Sequence, residues 1–557
     1  VQKGSWKTDN NTKRKSERVY GEYEKVAHNK RREKAMNFLE ILNEVIKDNS
    51  SSNQEELKKL FFNMTQDEKS NVLNDLKSCM DGDYAGEIYL LSYLIYILRD
   101  ESIIKMMYDV MESNDIDPVS ALNCIHQIGS FAFSNSINNG GGSENFLRDN
   151  DIYIKMVDKI CSNISGGMLE YMPYEKRNRN KVIITSRALL SELHAPTMII
   201  CNLYNYLQKL GYDVIVLVGY MGKLQKEKKN EIYYITVDNN LTEETQLFQT
   251  DHFGLHINVC NISFSAENFY QELDMAVNYV RINNPEFIID VGGENIIADV
   301  CSKFTTVCSY PCVGTPVHSA APVVIRCFHC EGEKEDIYNS YLTSAQRVFE
   351  LVTGNELSST GDVTGEMNSL KKENDKFIIL VVGNRLDSEV SEEFVDILDV
   401  VLSAEPQVFV EFIGECNGLK DRISKKDNKD RYIFHGYARN LQEAMSVGDL
   451  FVNPPRTGGG TAATIALKNR TPIVTLDNCD VALRGDGFVC ESLEQYPELV
   501  KRYIHDEEFM REQQNYCAKQ NKLRTKVDSV GNVKKFCEEI REYILLMEGK
   551  MHEVNTI

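Results

Sequence analysis

NPPRTGGGTAATIALKNRTPIVTL, residues 453–476, sets three consecutive glycines and a threonine between two structured-looking segments. The GDLFV before it has the length and composition of a short buried strand, AATIALKN has helical spacing, and TPIVTL reads as the next strand. A strand, a glycine turn, a helix and a strand form the repeating unit of a parallel sheet covered by helices. Glycines let the backbone approach an anion closely, and a helix start aims its free N–H groups and positive dipole end at one. The stretch equally suits a tight turn whose glycines relieve crowding. It is neither a Walker loop nor a GxGxxG fingerprint, because the lysine and the spacings of those motifs are missing.

Outward from this stretch the same alternation continues. KFIILVVG (376–383), QVFVEFIG (407–414) and DRYIFHGY (430–437) read as strands of the same half. An earlier set comprises KVIITSR (181–187), a helix APTMIICNLYNYLQKLG (195–211), YDVIVLVGY (212–220), EIYYITVD (231–238), HINVCNISF (256–264) and PEFIIDVGG (285–293), with the helix SAENFYQELDMAVNYVRINN before the last. Two doubly wound α/β halves, joined by the polar stretch ELSSTGDVTGEMNSLKKENDK, predict a cleft lined by the carboxyl ends of their strands. PELVKRYIHDEEFMREQQNYCAKQNKL and NVKKFCEEIREYILLMEGKMHE read as closing helices.

Before residue 150 the grammar is helical. AMNFLEILNEVIKD, NQEELKKLFFNM, EIYLLSYLIYILRDESIIKMMYDVMES and DPVSALNCIHQIGSFAF carry apolar residues at three- and four-residue spacing, and Asp117-Pro118 is a good helix start. SNSINNGGGSEN (134–145) reads as a flexible connection. The expected division is a basic tail at 1–32, a helical accessory domain at 33–150, a Rossmann-like domain at 151–365 and a second at 366–557.

Composition bounds the function. The formal net charge of −21 argues against a general nucleic-acid binder, which needs clustered Lys and Arg. The longest apolar run, IYLLSYLIYIL (88–98), is far short of the ~20 residues that span a bilayer, and the N-terminal basic arm lacks the apolar core of a secretory signal. Fifteen irregularly scattered cysteines suit reduced thiols in a cytoplasmic protein. Cys327 and Cys330 have zinc-knuckle spacing, and Cys301, Cys308, Cys312, His318 and His329 lie near them in sequence. No second tight pair closes the set, and the expectation is no metal site.

Candidate site residues follow from these loops. Gly458, Gly459 and Gly460 can cradle a diphosphate, with Thr457 or Thr461 capping the helix and lending a hydroxyl. Arg385 in VVGNRL (381–386) ends the first strand of the same half and can fork onto phosphate oxygens, or pair with Glu389.

These residues resemble the GT-B glycosyltransferases that use nucleotide-sugar donors. VVGNRL looks like that family's phosphate-side loop, and YIFHGYARNLQEAMSVGDLFVNPPRTGGGTAATIALKNRTPIVTL looks like its C-terminal signature over residues 376–490. ITSRALLSELHAPTMIICNLYNYLQKLGYDVIVL is similar, more loosely, to its first strand, acceptor-side loop and first helix. The resemblance implies two Rossmann-like domains facing a cleft, a UDP-linked sugar as substrate, no cofactor and no required metal. It places the nucleotide base at His435, Gly436 and Tyr437, where the tyrosine ring can stack. In one respect the chain departs from the pattern: retaining members related to glycogen synthase carry glutamates where this sequence has Thr457 and Ile465, so their ribose contacts and stereochemistry do not carry over.

Glycosyl transfer also needs a group that takes the acceptor's proton when configuration inverts. His194 in the first βα loop is the leading candidate for it. Asp290 and Glu294 at the end of PEFIIDVGGEN are candidates for base or sugar ligand, and His318 is a further one. The expected activity is transfer of a sugar to an acceptor, a protein or a glycan on one, with the helical domain docking the acceptor or a partner subunit. The alternatives are a catalytically silent GT-B binding or chaperone subunit and a nucleotide-sugar epimerase.

Overall fold

The computed structural model describes residues 37–45, 50–79, 84–113, 116–134, 142–192, 194–354, 357, 376–438 and 440–554. The basic tail at 1–32, most of the connection at 134–145 and most of the polar stretch at 356–376 therefore lie outside the described residues. Among the described residues no helix is long and apolar enough to cross a membrane. Contacts divide the chain at 115/116 into two compact units, and Glu231–Tyr234 belongs with the first.

The first unit is helical: α1 (37–45), α2 (Ser51–Phe62), α3 (Gln66–Cys79), α4 (Tyr84–Leu98) and α5 (Glu101–Ser113). The helical stretch EIYLLSYLIYILRDESIIKMMYDVMES divides between α4 and α5, where Arg99 takes a left-handed φ of 52°. Asp100 then accepts the Ser102 amide at 3.0 Å and opens α5. EIYYITVD is not a strand. Tyr233 packs edge-on against Tyr93 at 4.5 Å between ring centroids, and its amide donates to Ser92 Oγ at 2.8 Å, so aromatic packing outcompetes ladder pairing here.

The second unit holds both sheets, together with α6 (Pro118–Ser134) and α7 (Gly142–Cys161). The expected 33–150 helical domain is thus divided, because α6 and α7 bury apolar faces and polar side chains within the sheet-bearing unit. The first lobe runs β1 (Asn178–Ser186), α8 (Ala195–Lys209), β2 (Asp213–Tyr220), α9 (Gly222–Glu227), β3 (Gln246–His252), β4 (Leu255–Ser263), α10 (Phe269–Asn283), β5 (Pro285–Val291), α11 (Ile296–Cys301), β6 (Val307–Tyr310), β7 (Val323–Arg326), α12 (Glu333–Ser340) and β8 (Arg347–Glu350). Its strand order is β3-β4-β2-β1-β5-β6-β7-β8, parallel except for the antiparallel β3–β4 pair.

The second lobe runs β9 (Phe377–Val382), α13 (Leu386–Glu389), α14 (Glu392–Ala404), β10 (Val408–Ile413), α15 (Asn417–Ile423), β11 (Tyr432–Phe434), α16 (Leu441–Ala444), β12 (Leu450–Val452), α17 (Gly460–Asn469), β13 (Ile473–Leu476), β14 (Val489–Cys490), α18 (Tyr496–His505), α19 (Glu507–Thr525) and α20 (Ser529–Val554). Its parallel order is β11-β10-β9-β12-β13-β14. The order reverses between β9 and its two neighbours, and in the first sheet between β1 and its two, which fixes where the ligand crevices open.

The last helix belongs to the first lobe's core. Val533, Phe536, Cys537, Ile540 and Ile544 of α20 are buried in one cluster with Val182, Val216 and Phe287 of the first sheet. Arg541 adds a 2.9 Å ion pair to Glu286, a carboxylate with no exposed side-chain surface whose other bonds come from Tyr174 and Tyr212.

Candidate active site

The quoted stretch folds as a strand, loop and helix. β12 stops before Pro454 and Pro455, and Gly458 (φ 104°) and Gly459 (φ 82°) make the left-handed turn into α17. A side chain at Gly459 would collide with Arg456, whose Nη2 lies 2.8 Å from the Cβ position. Arg456 is 3% exposed and braces the loop: its Nε donates to Asn453 Oδ1 at 2.9 Å, its Nη2 to the Val382 carbonyl at 2.6 Å, and its Nη1 to Glu389. Glu389 also pairs with Arg385 at 2.8 Å, and Arg385 Nη2 reaches the Thr457 carbonyl at 3.3 Å. The chain Arg385–Glu389–Arg456 therefore ties the loop after β9 to the glycine loop. Arg385 thus stands at the glycine loop and makes the Glu389 pair that is its alternative reading.

The expected threonine cap is absent. Gly459 is the N-cap and α17 has no side-chain cap, because Thr461 is exposed and already within the helix. The first-turn N–H groups of α17 thus carry no side-chain cap. Arg484 lies beside them, donating to the Gly460 carbonyl at 3.3 Å. Asp480 accepts the Gly458 amide at 2.7 Å on one oxygen and the Gly314 amide of the β6–β7 loop at 3.0 Å on the other, joining the two lobes.

His435 is held by Glu411 at 3.0 Å across β10 and β11, so its ring is engaged within the sheet. Gly436 turns the chain at φ 65°, and Tyr437 beyond it is 45% exposed, which leaves its ring available for stacking.

On the first lobe, Gly292 and Gly293 turn the chain out of β5 at positive φ, and Glu294 follows in the left-handed region at φ 48°. Its amide donates to the His318 carbonyl at 2.9 Å, and its carbonyl accepts His126 Nε2 of α6 at 2.8 Å. The carboxylate takes His318 Nδ1 at 3.0 Å and lies 3.5 Å from Arg187 Nη1. Burial pushes this carboxyl up, but the His318 hydrogen bond, with Arg187 and His126, holds it at about 2. It is an ionised acceptor at neutral pH and a poor base. His318 is stacked on Phe146 at 4.8 Å, and its Nε2 is buried without a partner among the described residues.

Asp290 is wholly buried. Oδ1 accepts Thr185 and Asn295 at 2.9 and 2.8 Å, and Oδ2 has no partner among the described residues. Burial, with Asp299 nearby, raises its pKa to about 7. The folded chain thus keeps a proton that the unfolded chain releases near 3.8, so this group makes stability fall as pH rises through that interval. Asp290→Asn is expected to flatten the fall and to gain on the order of 1–2 kcal/mol at pH 8, after the amide's own unmatched group is counted. Urea midpoints from pH 4 to 8 check this, and a parent-like slope in the variant would refute it.

His194 is the half-buried N-cap of α8, with Nδ1 3.1 Å from Thr197 Oγ1. Burial lowers its pKa below 6.5, so the imidazole is neutral at pH 7. No hydrogen bond or ion pair among the described residues joins it to Asp290 or Glu294. The cysteine cluster does not converge either: among the described residues no three His, Cys, Asp or Glu side chains are placed to hold a metal ion.

The two halves of the site meet along α6. His126 holds Glu294, while Phe133, two turns on, lies 3.9 Å beneath the Arg385 guanidinium, and Ser388 donates to the Ser134 carbonyl. Sequence reading missed this helix as a site element, although His126, Gln127 and Gly129 inside an apolar run are a visible anomaly. Arg456 and Asp480 carried no comparable signal.

Two doubly wound lobes, joined through Asp480 between the β6–β7 loop and the glycine loop, with the final helix crossing back to complete the first, decide the architecture. The fold is GT-B.

No family model and no curated protein matches this GT-B chain. Among solved structures it is similar to a point mutant of the Thermobaculum terrenum O-GlcNAc transferase, at 12% identity over 92% of this chain and 99% of that one, with a TM-score of 0.49. It is also similar to Anabaena Alr3699/HepE in complex with UDP and glucose (12% identity, 65% and 99% covered, TM-score 0.43) and to the pneumococcal O-GlcNAc transferase GtfA in complex with UDP and GlcNAc (9%, 65% and 99%, 0.41).

Proposed function

We propose that the chain is a glycosyltransferase that moves a sugar from a nucleotide-sugar donor, UDP-linked, to an acceptor that is a protein or a glycan on one. The observation that carries this reading is the placement of an uncapped glycine-loop helix start and Arg385 on one side of α6, with the ionised Glu294 one helical turn back.

In this reading the diphosphate sits on the first-turn amides of α17, with Arg385 and Arg484 as counter-charges, and the base stacks on Tyr437. The bond from the anomeric carbon to the phosphate oxygen breaks, and the leaving charge spreads over those donors. The acceptor oxygen forms the new bond and gives its proton to His194. Glu294, fixed by His318 and Arg187, accepts hydrogen bonds from sugar hydroxyls. Because guanidinium and amide groups already supply positive charge, we propose that transfer needs no divalent ion, and that the enzyme works in the cytoplasm with its helical unit engaging acceptor or partner. A silent binding subunit is the second reading, favoured by the Asp480 carboxylate already occupying the Gly458 amide.

Calorimetric titration with UDP, GDP, UDP-glucose, UDP-N-acetylglucosamine and GDP-mannose, in EDTA, tests the proposal. We expect micromolar binding of one nucleotide and its sugar, with slow release of free nucleotide on incubation. Binding without any release under all acceptor conditions, or no binding across the panel, sinks the transferase and supports the silent subunit.

A further inference from the structure

Helix α6 is buried from Ala121 to Ile128, including the polar Asn123, His126 and Gln127, and then changes character. Gly129 and Ser130 are part-exposed and Phe133 is 45% exposed. Positions 126, 129 and 133 fall on one helix face. Along that face His126 is bonded to the Glu294 carbonyl, and Arg385 covers one side of the Phe133 ring. Gly129 lies between them. A Cβ on Gly129 would stand 3.4 and 3.5 Å from the two Glu294 carboxylate oxygens, so a methyl fits and anything longer enters the space over the carboxylate.

Glycine in a helix interior is destabilising relative to alanine, so a glycine at this one point calls for a local reason. The flanking groups, Glu294, Arg187 and Arg385, have side chains 16, 29 and 27% exposed, so each keeps part of its surface in contact with solvent.

We propose that this face of α6 selects the transferred sugar: the Gly129 notch receives the ring beside Glu294, Phe133 supports its apolar face, and the sugar is a neutral hexose rather than a uronate. The inference rests on the glycosyltransferase reading. Hydroxyls satisfy an acceptor-only carboxylate, whereas a sugar carboxylate would meet like charge in a partly desolvated place. An exposed aromatic ring beside them suits the C–H face of a pyranose.

The test is calorimetry of UDP, UDP-glucose, UDP-N-acetylglucosamine and UDP-glucuronate with the parent, Gly129→Ala, Gly129→Leu and Phe133→Ala. The parent is expected to bind at least one neutral UDP-sugar tenfold or more tightly than UDP-glucuronate. Gly129→Leu should weaken that sugar nucleotide at least tenfold while leaving free UDP within twofold, and Gly129→Ala should weaken it in the same direction by less. Equal losses for UDP and the UDP-sugar, unchanged sugar affinity in Gly129→Leu, or a preference for the glucuronate each overturn the inference while leaving nucleotide binding intact. A parent that binds none of the four overturns the function itself. Thermal unfolding of Gly129→Leu and the Phe133→Ala arm separate a misfolded helix from a filled notch.

Discussion

Gly460→Trp is expected to weaken UDP binding by two to four orders of magnitude while the protein still folds. Gly460 is the first residue of α17, and a Cβ there would stand 2.7 Å from Arg484 Nη2. An indole at this point displaces that guanidinium and covers the first-turn amides, removing at least two charge-assisted hydrogen bonds worth about 1.5–3 kcal/mol each. Among the described residues the Arg484 side chain donates only to the Gly460 carbonyl, so it can swing aside at a cost to the fold that is small beside the loss of ligand. Calorimetry with UDP, read beside the melting temperature, checks both halves of this statement. Retention of parent affinity would show that the glycine loop is a packing turn.

His194→Ala is expected to lower kcat by about 10²–10⁴, the usual range for a lost general base, with the donor Kd unchanged. The substitution removes the Nδ1–Thr197 Oγ1 hydrogen bond and no backbone cap of α8, so it is structurally mild. The pH profile gives the sharper reading. Burial holds the His194 pKa below 6.5, so kcat/KM of the parent should rise through a titration below that value and level off, and the variant should lose that limb. A variant that keeps the parent's acid limb would transfer the base role away from His194.

The legible parts of the molecule were those specified locally. The glycine loop, the β9 loop and the strand runs around them are encoded within a few residues, and the structure keeps them in place: β9, β10, β12 and β13 all lie within the quoted segments. The short strands β6, β7 and β8 were not legible, because four residues each carry too little alternation to distinguish from buried loop. Glu231–Tyr234 failed for the opposite reason, as β-forming aromatics found a better partner in the tyrosines of α4. At the site, His126 reaches Glu294 across 168 residues of sequence, and Arg456 reaches Glu389 across 67. Such contacts leave no periodic trace. What the sequence did hold was the oddity of polar residues and a glycine inside the apolar α6.

The return of α20 to the first lobe also governs when that lobe can be finished. Between the end of β8 at Glu350 and the start of α20 at Ser529 lies the whole second sheet. At ribosomal speeds of ~5–20 residues per second, the first lobe waits roughly ten to forty seconds with the seats of Val533, Phe536, Cys537, Ile540 and Ile544 empty. During synthesis, then, the earlier lobe is the later one to close. The second lobe can close once α19 has emerged, and α20 closes the first only afterwards, with an apolar surface held open until then for a chaperone to guard.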